Sequence, residues 1–540
     1  MGYKGILTAV ACLFTAGCTT LCAQITRVNA TKQSLRTGER VDIEVTLKGQ
    51  WENPYRQEEA KLDIILVTPR GESVVLPAYY EQGKSGEQSS WKARFTPRMA
   101  GKYAFVASYS QPGLESVSKP QLLDVQQGSG HGFLHVNDQW TLRFDDGTLF
   151  RGIGENLCWE SRASDDSKFF SNLHEQHERF SYPAMLTKFA RLGGNFTRMW
   201  MCSWNFPIDR QKDFNNTRYT ETAEPINESA AKRLDETLEL CEKLGVEVML
   251  CMGAGEQRTD KRFFASSEER ARYHNRLRYI VARWGYSTSI AMWEFFNEID
   301  NIQFRDQKNP IPAEDIVSWH AEMSRYLKSI DPYQHIITTS ISHRDLKGLN
   351  DIPDMDINQK HIYKQTDVIP ETIVQYEQRH GKPYIIGEFG YEWDWSKNFD
   401  DFAGGMDTDF RKGLWYGLFS PTPVTPMSWW WEYFDERKMN EYFTATALVN
   451  REMLEAGRGS FVPVKATMAG AMAYALKCGA KTFVYVFNPT KSTLKTIELE
   501  ANGRAKELNI DKAQWGKPFT CKGQIKTQLK PQQERVFVIE

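Results

Sequence analysis

The chain runs to 540 residues, longer than one ordinary domain, and its 41% hydrophobic and 13% aromatic content supplies more than one packed core. Its 67 basic and 69 acidic residues leave a formal charge of −2, which excludes a polycationic face for nucleic acid or for an anionic membrane. Three domains and a neutral or mildly charged partner are the expectation.

Residues 1–23 read as an export leader: Lys4, the apolar run Ile6 to Phe14, then small residues up to Ala23. Thr15-Ala16-Gly17-Cys18 offers a second reading, a lipobox-like site that would anchor the chain at Cys18 to an outer membrane. Either way the protein is expected to be exported, periplasmic or extracellular, with no segment apolar enough to span a bilayer. Three of nine cysteines lie in this leader; the others, at 158, 202, 241, 251, 478 and 521, form no Cys-x-x-Cys pair and read as buried thiols.

From 24 to 125 the alternation of "RVDIEVTLKG", "KLDIILVTP", "WKARFTP" and "KYAFVASYS" predicts a small β-sandwich. A linker is expected over 126–136, and "TLRFDDGTLF", 141 to 150, carries the Asp-Gly signal of a hairpin. Over 137–450 short apolar runs alternate with amphipathic helical stretches. "LFRGIGENLCW", "GGNFTRMWM", "VEVMLCMG", "IAMWEFFNE", "HIITTSI", "INQKHIY", "PYIIGEFG" and "TPMSWWWE" give eight strands, the arithmetic of an α/β (β/α)8 TIM barrel. A doubly wound sheet competes less well, since no Gly-x-Gly-x-x-Gly turn follows the first strand. Residues 451–540 return to strand patterns and predict a C-terminal β-sandwich.

In such a barrel the chemistry stands at the C-terminal strand ends. Strand two ends on Arg198, strand four on Asn297 and Glu298, strand six on His361 and Tyr363, strand seven on Glu388, and strand eight in the tryptophans 429 to 431. Two carboxylates facing one mouth are the apparatus of glycoside hydrolysis, one protonated to assist departure and one ionised to attack or to activate water.

With "WEFFNE", "HIY", "IIGEFG" and the strand-two arginine, the segment 150 to 435 resembles the clan A glycoside hydrolases, and within them the family 5 cellulase and mannanase barrels; the N-terminal β-domain resembles Bacteroidetes polysaccharide-degrading enzymes. The resemblance implies Glu298 as general acid/base and Glu388 as nucleophile, Asn297 on the sugar 2-hydroxyl, Arg198 and Tyr363 on Glu388, and His361 on the leaving-group side. It also implies retention of configuration and a carbohydrate substrate without a cofactor. A strand-eight Trp would form the sugar platform, and strand parity favours Trp429 and Trp431 over Trp430. The chain departs from many family 5 sequences in having Ile299 and Asp300, not Pro, after Asn-Glu.

Each of these residues also has a plainer reading. Any one Glu beyond a strand is commonly a surface carboxylate, Arg198 a structural ion pair, His361 and Tyr363 a core pair, and the tryptophans barrel packing. The set at matching strand ends is what favours function. "HEQHE", 174 to 178, hints at a metal, but a polar loop is the better reading and no metal is expected. The rivals are a transglycosylase with the same first step and a non-catalytic glycan-binding barrel. A serine hydrolase lacks its Gly-x-Ser-x-Gly elbow. Sugar, linkage, endo or exo action and oligomeric state stay open, because specificity lies in the loops 160–182, 204–227 and 391–409.

Overall fold

The computed structural model describes residues 24–160, 180–214, 218–253, 259–391 and 403–540. The leader, "HEQHE" and parts of the three loops just named therefore lie outside the described residues.

Alternation builds the N-terminal part. Val41–Lys48 buries every second side chain, as a half-buried strand must, and pairs with Gln24–Ala30 and Gln88–Phe95. A second sheet runs through Lys61–Val67 and Gly101–Gln111. Ile43, Val45 and Leu47 from one sheet meet Leu62, Ile64 and Phe105 from the other in a single core.

The central part is a ring of parallel strands. β1 (Gly154–Asn156), β2 (Phe196–Trp200), β3 (Glu247–Cys251), β4 (Ile290–Glu294) and β5 (Ile336–Thr338) pair in order; Ser340–Ile341 continues β5 onto β6 (Asn358–Tyr363), which pairs with β7 (Tyr384–Gly390). Residues 424–428 occupy the eighth position through parallel bridges Phe389–Ser428, Glu155–Ser428 and Gly152–Val424, which close the ring. Asn156 fastens this seam, its Nδ2 donating to the carbonyls of Gly387, Met427 and Ser428 at 3.0–3.2 Å. Helices α1 (Tyr182–Arg191), α2 (Glu228–Leu244), α3 (Ser267–Trp284), α4 (Ala313–Ile330), α5 (Ile369–His380) and α6 (Ala403–Leu418) pack outside the strands. At the strands' N-terminal end a small antiparallel sheet contains the expected hairpin, with Leu142–Phe144 paired to Leu149–Phe150, and contributes Leu134, Leu142 and Phe150 to the barrel floor.

The C-terminal part bears out the expected sandwich in part. Its strands are hydrogen-bonded into one antiparallel sheet of eight, joined by the 16-residue strand Leu494–Asn509, whose two register shifts let it serve partners on both sides. One face encloses Val484, Ile497, Ile525 and Phe537. The other lays Phe483, Tyr485 and Val538 against the barrel, with Tyr485 stacked on Trp415 at 5.9 Å. Burial on both faces is why "FVYVF", Phe483 to Phe487, is an unbroken apolar run.

Buried polar bonds tie the three parts. Asp235 on α2 accepts from Arg94 of the N-terminal sheet at 2.7 and 3.0 Å, from Arg283 at 2.8 Å and from Trp284 Nε1 at 2.7 Å. Fully buried Arg151 donates to the carbonyls of Gly417 and Leu418 in the last turn of α6 and of Ser420 and Thr422 just beyond it, and burial pushes its guanidinium down to about 10. The six described cysteines are buried thiols, and no helix among the described residues is long and apolar enough to cross a membrane.

Candidate active site

Inward alternation decides which side chains reach the barrel mouth. Phe196 on β2 lies in the floor, so Arg198 faces the same interior nearer the mouth; the same parity carries β4 from Met292 to Glu294 and β6 from Gln359 to His361. Applied to β7, whose Ile385 is also in the floor, the rule would turn Glu388 outward. A bulge prevents it: Lys360 pairs with Ile386 but His361 with Glu388, which leaves Gly387 unpaired and returns Glu388 to the interior. Glycine is needed there because a Cβ would lie 2.7 Å from the Gln359 side chain.

Glu388 is 3% exposed. Arg198 Nη1 donates to its Oε1 at 2.5 Å, and the Tyr363 hydroxyl donates to its Oε2 at 2.5 Å. His361 Nδ1 donates to Glu298 Oε1 at 3.0 Å and stands 3.4 Å from Glu388 Oε2. Because an ionised carboxylate only accepts, this nitrogen carries the ring proton. One oxygen each of Glu298 and Glu388 and a nitrogen of His361 lie within 4.8 Å of one another. Among the described residues this trio alone has the spacing of a metal site. The Arg198 cation already bonded to Glu388 opposes a second cation there.

Strand β4 ends at Glu294, four residues before the sequence reading placed its end. Glu298 follows in a left-handed backbone conformation, φ 48° and ψ 59°, and opens the short helix Ile299–Gln303. Its amide donates to Ser340 Oγ at 2.9 Å, and its Oε2 accepts from Asn301 at 2.7 Å. Asn297 accepts from Arg198 Nη2 at 2.9 Å.

Electrostatics set these carboxylates apart. Although burial alone would raise it, Glu298 is pushed down to about 2 by hydrogen bonds from His361, Ser342 and Asn301 and by the His361 charge. Complete burial pushes Glu388 up, joined by the Glu298 charge and resisted by His361, Arg198 and Tyr363. This order is opposite to the one a resting general acid at 298 would need. The hydrogen-bond geometry also differs: Glu388 is gripped by an arginine and a phenol, whereas Glu298 is the more exposed of the two.

Three residues at the centre escaped the sequence reading. Glu294, fully buried, takes Arg198 Nε at 2.6 Å and Nη2 at 2.8 Å, and Gln359 donates to Glu294 Oε1 at 2.6 Å. Asn156 faces Arg198 across 3.5 Å. Continuing β4 parity from Met292 would have found Glu294.

The tryptophan reading needs correction. Ser428 makes the last bridge of the eighth position and Trp431 begins the helix Trp431–Glu436, so strand parity does not extend through 429–431. Trp431 is 2% exposed and packs edge-on against Trp159 at 4.9 Å, a core position closed to a sugar. Trp429 and Trp430 are half-buried, Trp429 lying 5.3 Å from Trp200 and Trp430 donating to the Tyr391 carbonyl at 2.7 Å.

Comparison with known proteins bears on this arrangement. Residues 164–411 match the family model described as Cellulase (glycosyl hydrolase family 5), and residues 39–110 match a domain of unknown function, DUF5060. No curated protein matches in sequence. A crystal structure of a protein from Bacteroides vulgatus ATCC 8482, provisionally assigned as a glycoside hydrolase, superposes with a TM-score of 0.65 at 15% identity, covering 94% of this chain and 100% of that one. An endo-β-1,4-mannanase from Thermotoga petrophila (TM-score 0.42, 14% identity, 71% and 92% covered) and a family 5 mannosidase from Rhizomucor miehei (0.44, 14%, 60% and 100%) are more distant. At 15% identity the Bacteroides vulgatus superposition speaks to the fold alone. The family match spans both carboxylates and the arginine between them, and it supports a glycoside hydrolase of the clan A, family 5 type.

Proposed function

We propose that this protein cleaves β-glycosidic bonds of a poly- or oligosaccharide with retention, by double displacement through a glycosyl-enzyme. The observation that carries the reading is the grip on Glu388, with Arg198 and Tyr363 each donating at 2.5 Å and a Glu298 oxygen inside 4.8 Å. Retaining enzymes place their carboxyls about 5 Å apart, whereas inverting ones leave about 6.5–9.5 Å for a water.

Glu388 attacks the anomeric carbon while Glu298 protonates the departing oxygen. Arg198 keeps the attacking carboxylate ionised, and Glu294, holding the far side of the guanidinium, fixes its direction. The resting bias toward ionised Glu298 opposes this first step. A neutral sugar seated over Glu298 excludes water and raises the cost of its anion, which moves the proton to it. Once Glu388 is esterified its charge is gone, and ionised Glu298 is the base that draws a proton from water. Asn297 meets the 2-hydroxyl, and half-buried Trp429 is the better-placed platform for the sugar's C–H face. We also propose export, on the strength of the apolar run Ile6 to Phe14.

The test is a product screen of wild type and Glu388→Gln against plant, fungal and algal polysaccharides and aryl β-glycosides. Release of sugar by the wild type, reduced at least about 10³-fold in the variant, supports the reading and names the substrate. A glycan bound by both proteins and cleaved by neither would favour the non-catalytic alternative.

A further inference from the structure

Asp300 has no place in the double displacement, yet it is fully buried beside the acid/base residue. Its carboxylate accepts three consecutive backbone N–H groups, from Ser342 at 2.7 Å, His343 at 2.8 Å and Arg344 at 3.0 Å. Three amides converging on one anion form a nest that makes a buried charge tolerable and fixes the turn that supplies them. The turn follows Ser340–Ile341, whose Ser340 Oγ accepts the Glu298 amide at 2.9 Å, and Ser342 is among the groups that hold the Glu298 carboxylate low. On the other side of Asp300, Asn301 Nδ2 donates to Glu298 Oε2 at 2.7 Å.

We propose that Asp300 is a positioning residue for proton transfer: by fixing the Ser342–Arg344 turn it makes Ser342 and Asn301 the two fingers that hold Glu298 toward the leaving group. The inference rests on the acid/base reading of Glu298. Its motive is the Glu298 backbone, whose left-handed conformation persists in a non-glycine residue only where the surroundings impose it. The groups facing Glu298 are His361 from β6, Glu388 from β7, Asn301 from the short helix and Ser342 from the turn, with Arg198 of β2 one residue away on Asn297.

The test compares wild type and Asp300→Asn on two aryl β-glycosides of one sugar, a 2,4-dinitrophenyl glycoside that needs little protonation to depart and a phenyl glycoside that needs much. An amide cannot accept three N–H bonds at once, so kcat/KM on the phenyl glycoside is expected to fall about tenfold or more while the dinitrophenyl value stays within about twofold. Equal losses on both, or no loss on either, would overturn the proposal. Asn301→Ala keeps the idea falsifiable should Asp300→Asn not fold. Losing one donor to Glu298, it should shift the alkaline limb of the phenyl-glycoside pH profile to higher pH, and an unmoved limb counts against the clamp. Wild type inert on the dinitrophenyl glycoside would instead sink the glycosidase reading itself.

Discussion

Glu388 and Glu155 are both buried carboxyls of barrel strands, and the comparison shows what makes one useful. Glu388 has a guanidinium and a phenol on its oxygens, whereas neither oxygen of Glu155 meets a hydrogen-bond partner. Burial pushes Glu155 well above the usual carboxylate range, with the Asp435 and Glu432 charges adding to it and Lys188 opposing. Its folded pKa is therefore raised, so its contribution is fully present below the unfolded value near 4.5 and is lost as pH rises toward the folded value. Glu155→Gln keeps the shape and removes the proton dependence. Thermal melts should show the variant more stable than wild type near neutral pH by about 1–3 kcal/mol, with the gap closing toward pH 4. A constant gap would contradict the assignment.

At the scale of elements, side-chain parity explains both what the sequence disclosed and what it hid. The apolar runs of β2, β3, β4 and β7 were legible because strands buried on both faces need unbroken apolar residues. Glu298 and Glu388 were legible as polar residues ending such runs. The β7 bulge was not, since it is defined by pairing with β6 and only Gly387 hints at it. Glu294 was hidden by the assumption that β4 continued to Glu298, and Trp431 was misread because a helix begins where a strand was assumed. β7 also depends on the helix behind it. At Gly413 of α6 an added Cβ would lie 2.1 Å from the Phe389 ring, and Phe389 follows Glu388 directly. Gly413→Ala gains about 1 kcal/mol of helix propensity, but overpacking against a ring fully buried at 0% exposure costs about 1–3 kcal/mol. The variant should thus melt lower and lose kcat through displacement of Glu388; a higher melting temperature with unchanged kcat would refute this packing account.

Across the whole molecule the chain spends much of its polar chemistry on joining its parts. The Asp235 junction with Arg94 and Arg283 seats the N-terminal sheets on α2 and α3, and Arg151 secures the barrel where the C-terminal sheet meets it. Composition foretold several cores and alternation foretold the N-terminal sheets. The single C-terminal sheet was not legible, because a strand that serves two sets of partners has the same alternation as two separate strands. These supports hold rigid the ring on which the central claim depends, that Glu388 attacks sugar directly and Glu298 serves both half-reactions. The most direct test follows the anomeric proton by NMR during hydrolysis of a β-glycoside that the wild type cleaves. The account predicts that the β-anomer appears first and the α-anomer only later, by mutarotation; an α-anomer formed first would mean that water attacks in a single displacement and would contradict it.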